Sequence, residues 1–126
     1  MQRESSNSVR IFYPEFDREE LIQKLGKKAE ELAKKLPLSS VVLFGSYAKG
    51  NYTVASDVDI LVLYKGKERK DAFATAKKTL DIPRLQPHVY SQGAYESLRN
   101  VIDPMIAGGV ILFPHNHGTK QTRSTK

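Results

Sequence analysis

The stretch from Val41 to Tyr64, VVLFGSYAKGNYTVASDVDILVLY, constrains this chain most, because it sets two strands and a small polar constellation side by side. Ser40–Phe44 is a short β-branched and apolar run stopped by Gly45, which reads as a buried strand. Val58–Tyr64 reads as a second, with Lys65-Gly66-Lys67 as its turn. Gly45-Ser46 closes the first strand, ten residues follow, and Asp57-x-Asp59 opens the second. Strand alternation predicts that Asp57 and Asp59 point to one face, converging two carboxylates on a small volume. Like charges that close are costly unless a cation neutralises them, and hard oxygen ligands select Mg²⁺ or Mn²⁺. Mg²⁺ usually binds one or two carboxylates together with substrate phosphates. Gly45-Ser46 offers the remaining contacts. Glycine lets the backbone approach closely, and free N–H groups with a serine hydroxyl cradle an anion at a strand-to-helix turn.

Around this stretch the periodicities alternate. Asp17 with Glu20 three residues on predicts a capped helix start. Leu21, Leu25, Ala29, Leu32 and Leu36 then form one apolar stripe that stops before Pro37. A helix is expected over Glu68–Leu80 with Phe73, Ala76 and Leu80 inward. Leu85–Tyr90 reads as a third strand, and Pro87 places it at an edge or bulge. Ser91 caps a helix through Arg99, Asp103-Pro104 starts a further turn, and Val110–Phe113 is a last strand. The expected class is α/β or α+β, a mixed four-stranded sheet flanked by helices.

A length of 126 residues fits one domain, placed at 1–114, with a basic and disordered tail at 115–126. With no cysteine, disulfides and thiolate metal sites are excluded. No apolar run spans a bilayer, and the polar start MQRESSNSVR is no signal peptide, so no membrane role and a cytoplasmic location are expected. The net charge is +6, of which Lys120, Arg123 and Lys126 contribute +3 in the tail. Most remaining dense lysine lies between Lys24 and Lys35, interleaved with Glu30 and Glu31, which reads as a solvated helix face. His115-Asn116-His117 has no third ligand nearby and reads as incidental rather than metal-binding.

Gly45-Ser46, the ten-residue spacer and Asp57-x-Asp59 resemble the signature of the DNA polymerase β-like nucleotidyltransferase superfamily. The short chain, with Gly50 and Ser56 in the spacer, is similar to the minimal nucleotidyltransferases of archaea and bacteria from about Asp17 to Phe113. The resemblance implies ATP or another nucleoside triphosphate as donor and two Mg²⁺ ions. It also implies attack of an acceptor hydroxyl on the α-phosphate with loss of pyrophosphate. Asp57 and Asp59 match the metal carboxylates, Gly45 and Ser46 the phosphate-binding pair, and Lys49 a spacer position where an arginine is frequent.

One position departs from the pattern. The third catalytic carboxylate of active members maps onto Gln86, and a neutral amide cannot deprotonate a hydroxyl. Asp71 and Asp81 are poor substitutes on a helix and a loop. His88 shares the strand face of Gln86 and reads either as a site residue or as a satisfied structural histidine. Two functions stay open: transfer of a nucleotide, with AMP from ATP first, or a catalytically impaired nucleotide- or partner-binding module. The resemblance implies a partner, since such proteins are often paired with a helical HEPN protein, a candidate RNase toxin. RNA-end modification, anchored by the lysine-rich helix and basic tail, is a weaker third reading.

Overall fold

Asp17 begins the first helix, α1 (Arg18–Ala33), by the box its sequence predicts. Its carboxylate accepts the Glu20 N–H at 2.8 Å, and the Glu20 carboxylate accepts the Asp17 N–H at 3.3 Å. In this computed structural model, which describes residues 17–53 and 55–114, Leu21, Leu25, Ala29 and Leu32 are wholly buried. Leu36 completes the stripe from the turn beyond the helix, its N–H donating to the Leu32 carbonyl at 2.9 Å. Each buried leucine contributes about 1.5–3 kcal/mol relative to exposure, so this stripe is what seats α1.

Gly26 interrupts α1 without a structural reason, since a Cβ added there meets nothing within 4 Å. Gly26→Ala is therefore expected to stabilise the fold by about 1 kcal/mol through helix propensity. Thermal or urea unfolding checks this; an unchanged or lower midpoint contradicts it.

The remaining elements are β1 (Leu38–Phe44), α2 (Ser46–Lys49), β2 (Val58–Tyr64), α3 (Ala72–Leu80), β3 (Leu85–Ser91), α4 (Gln92–Ser97), α5 (Arg99–Ile106) and β4 (Val110–Phe113). They build a mixed sheet of four strands in the order β3-β2-β1-β4. β1 pairs antiparallel with β2 and β4, whereas β2 and β3 run parallel across the α3 crossover. Alternation splits the core between the two sheet faces. Val41, Leu43, Ile60 and Val62 pack with α1 and α3, while Val42, Phe44, Leu61 and Leu63 pack with Ile102 of α5. Pro87 stands on the edge strand β3, where a missing N–H leaves no ladder bond broken.

Local expectations needed correction in two places. The helix expected from Glu68 starts at Ala72, because Arg69 is drawn into a turn. Its N–H donates to the Tyr64 hydroxyl at 2.9 Å and its guanidinium grips Asp71 at 2.8 and 3.0 Å. The buried face of α3 then runs through Ala72, Ala76 and Leu80, leaving Phe73 about 100° round the helix and 49% exposed. The second correction concerns Asp103-Pro104, which lies inside α5 instead of starting it. Asp103 is a side-chain partner of α4, accepting the Tyr95 hydroxyl at 2.6 Å, and Pro104 falls late in a short helix where few N–H bonds remain to lose. α4 correspondingly ends at Ser97, with Ser91 capping it through the Ala94 N–H at 3.1 Å.

Among the described residues no helix is long and apolar enough to cross a membrane. The tail at 115–126, with His115, His117 and three of the basic residues, lies outside the described residues.

Candidate nucleotide and metal site

Three strand ends meet at one edge of the sheet. Because β1 and β2 are antiparallel, the C-terminal end of β1 lies beside the N-terminal end of β2, and Phe44 is in register with Asp59. Because β3 runs parallel to β2, its N-terminal end arrives at the same edge, with Gln86 in register with Asp59. The ten-residue spacer is therefore only the link between neighbours already paired. Gly45 continues β1 straight into the site. Its backbone takes φ +80° and ψ −151°, a region that is essentially glycine's alone, and a Cβ there would fall on the Asp59 carboxylate. The chain then turns into α2, a four-residue helix whose Lys49 N–H donates to the Gly45 carbonyl at 3.1 Å.

The two carboxylates differ in setting. Asp59 belongs to β2, on the face shared with Leu61 and Leu63, and its side chain is 29% exposed. Burial pushes its carboxyl above the ordinary 3.8, the nearby Asp57 charge adds to this, and His88 opposes it. Asp57 precedes the strand, so alternation does not set its direction; Arg84 does, donating from Nη2 to Asp57 Oδ1 at 3.1 Å.

His88 stands on the same strand face as Gln86. Its Nε2 is 3.7 Å from Asp59 Oδ1, beyond hydrogen-bond distance, and is buried with no hydrogen-bond partner. Its ring leans on Phe44 with centroids 5.1 Å apart. It is thus beside the site rather than a satisfied core histidine. Gln86 is exposed. Ser46 is half-buried at the first position of α2, and Lys49 is exposed at its last. Asp71 is engaged by Arg69, and Asp81 caps α3 with φ +42°, so neither joins the site. Arg84 is the residue that sequence reasoning missed. Nothing local marks it, since its partners are 27 to 29 residues away.

The profile of the nucleotidyltransferase domain family matches residues 11–107. The chain belongs to this family. Two relatives from Methanocaldococcus jannaschii, both provisionally named protein adenylyltransferases, are 46% and 42% identical over 46 and 45 residues. Each match takes in 36% of this chain and 46% of the relative, so the chain spans about half the length of the curated relatives it matches. The nucleotidyltransferase domain also superposes on a provisionally named nucleotidyltransferase from Sulfolobus solfataricus, with TM-score 0.52, 23% identity, and 75% and 81% of the two chains covered. A toxin–antitoxin structure with AMP-PNP gives TM-score 0.52 and 23% identity, over 70% of this chain and 72% of that one. The mixed four-stranded sheet with its helices is a nucleotidyltransferase fold.

Nucleotidyltransferases generally use a nucleoside triphosphate and a divalent metal, and the donors at this edge fit such an ion. Asp57 and Asp59 supply hard carboxylate oxygens, and the Asp59 carboxylate packs where a Cβ on residue 45 would otherwise stand. Among the described residues no three His, Cys, Asp or Glu side chains form a metal cluster.

Proposed function

We propose that this domain binds a nucleoside triphosphate, ATP first, with Mg²⁺ or Mn²⁺ held by Asp57 and Asp59, and transfers the nucleotidyl group to a hydroxyl acceptor. One observation carries the reading. Gly45, glycine-only in conformation, sits against the Asp59 carboxylate, so the Gly-Ser turn and the acidic pair act on one small volume. In that role Gly45 admits phosphate close to the backbone, and the Ser46 hydroxyl donates to a phosphate oxygen. Lys49 adds positive charge on the same helix. A bound cation would neutralise phosphate charge as pyrophosphate leaves.

The acceptor is proposed to be a hydroxyl on a partner protein, with a helical HEPN-type toxin as the candidate. The names of the adenylyltransferase relatives and the fold shared with a toxin–antitoxin structure support this reading.

Gln86 favours a second reading, a nucleotide- or partner-binding module with impaired turnover. Its register with Asp59 supports reading this neutral amide as the counterpart of a catalytic base. Incubation with α-labelled ATP, Mg²⁺ and a co-purified partner separates the two. Gln86→Glu is expected to raise transfer towards the roughly 10²–10⁴-fold that general-base assistance provides. Brisk transfer by the wild type, slowed by the substitution, contradicts the assignment of Gln86; no transfer by either form favours the binding module.

A further inference from the structure

We propose that Arg84 is a positioning residue for Asp57, holding the 55–57 loop so that the carboxylate is in place before a cation arrives. The inference rests on reading Asp57 as a cation ligand. From the opposite side of the α3 crossover, the Arg84 guanidinium donates from Nη2 to the Ala55 carbonyl at 2.6 Å and to Asp57 Oδ1 at 3.1 Å. Its Nε donates to the Ser56 carbonyl at 3.2 Å, and its own carbonyl accepts the Val58 N–H at 2.9 Å. Four successive residues are thus tied to one. The bond to Asp57 uses Oδ1 and, among the described residues, Oδ2 has no protein partner.

The arginine occupies a backbone conformation that does not suit it. Its φ is +63°, in the left-handed region where glycine and asparagine are favoured. With the Arg84 and Asp57 side chains 51% and 48% exposed, the ion pair alone contributes little in water. What the arginine adds is a planar fork that reaches two carbonyls and a carboxylate at once. A lysine ammonium, a compact point charge on a flexible stem, does not reproduce this.

Arg84→Gly removes the fork at a φ that glycine prefers, so the backbone is relieved while the ties are lost. The test measures Mn²⁺ binding without nucleotide, from the electron paramagnetic resonance of free Mn²⁺, for wild type, Arg84→Gly, Arg84→Lys and Asp57→Asn. Thermal unfolding is recorded metal-free. Arg84→Gly is expected to melt near the wild type yet bind Mn²⁺ roughly 10-fold more weakly or worse, as is usual when a metal ligand's supporting partner is lost. Arg84→Lys is expected to weaken binding similarly, and it carries the test should the glycine variant fail to fold. Millimolar methylguanidinium is expected to restore binding to Arg84→Gly. Wild-type affinity in Arg84→Gly, or full restoration by lysine, overturns the proposal while Asp57 keeps its role. Undiminished Mn²⁺ binding in Asp57→Asn removes the reading of Asp57 itself, and the proposal with it.

Discussion

Asp59→Asn is expected to abolish Mg²⁺-dependent ATP binding while raising the melting temperature of the metal-free protein. The loss should exceed about 100-fold, since supporting partners of metal ligands alone are typically worth 10–100-fold. The gain in stability has a separate cause. Asp59 is partly buried beside Asp57, and burial lifts its carboxyl above 3.8, so the folded protein holds that proton more tightly than the unfolded chain. A raised carboxyl contributes stability that is fully present below the unfolded value and is lost as pH rises through the folded one. At neutral pH the ionised carboxylate, whose burial His88 offsets only in part, is therefore a burden that asparagine lifts. The gap in melting temperature between variant and wild type should narrow as pH falls towards 3.8. Calorimetric titration with ATP and Mg²⁺, and thermal scans across pH, check the two halves. Unchanged metal-dependent affinity contradicts the site, and a lower melting temperature at neutral pH contradicts the electrostatic account.

Gly45→Ala is expected to damage fold and site together. Alanine at φ +80° and ψ −151° costs about 1–3 kcal/mol in backbone strain alone. Its Cβ must also displace the Asp59 carboxylate, and overpacking of this kind adds roughly 1–3 kcal/mol. Relief can come only by moving Asp59 or pulling β1 from β2, where Phe44 and Asp59 are paired. Both routes change the donor geometry, so ATP affinity should fall even in molecules that remain folded. A variant with wild-type stability and affinity contradicts the close approach of Gly45 to Asp59.

What was legible in the sequence was what short-range chemistry decides. The Asp17–Glu20 box, the leucine stripe of α1 and the apolar runs of β1 and β2 each depend on residues within a few positions of one another. Gly45, Ser46, Asp57 and Asp59 were legible as a group because one spacing holds all four. Gln86 was placed through resemblance, and the parallel register of β3 puts it beside Asp59. The rest was set by tertiary contacts. Phe73 is the largest apolar residue of α3, yet the small side chains of Ala72 and Ala76 face the core. Asp57 is directed by an arginine 27 residues away rather than by strand alternation. His88 reads first as a structural histidine, and its place beside the site shows only once Phe44 and Asp59 are seen next to it.

The central claim is that one volume between Gly45 and the acidic pair receives both triphosphate and cation. A crystal of the protein grown with Mn²⁺ and a non-hydrolysable ATP analogue tests it most directly, through the anomalous signal of the manganese. The account predicts a manganese peak shared by Asp57 and Asp59, with the triphosphate against Gly45 and Ser46. Nucleotide bound away from Gly45 and Ser46, or manganese bound away from both aspartates, would contradict it.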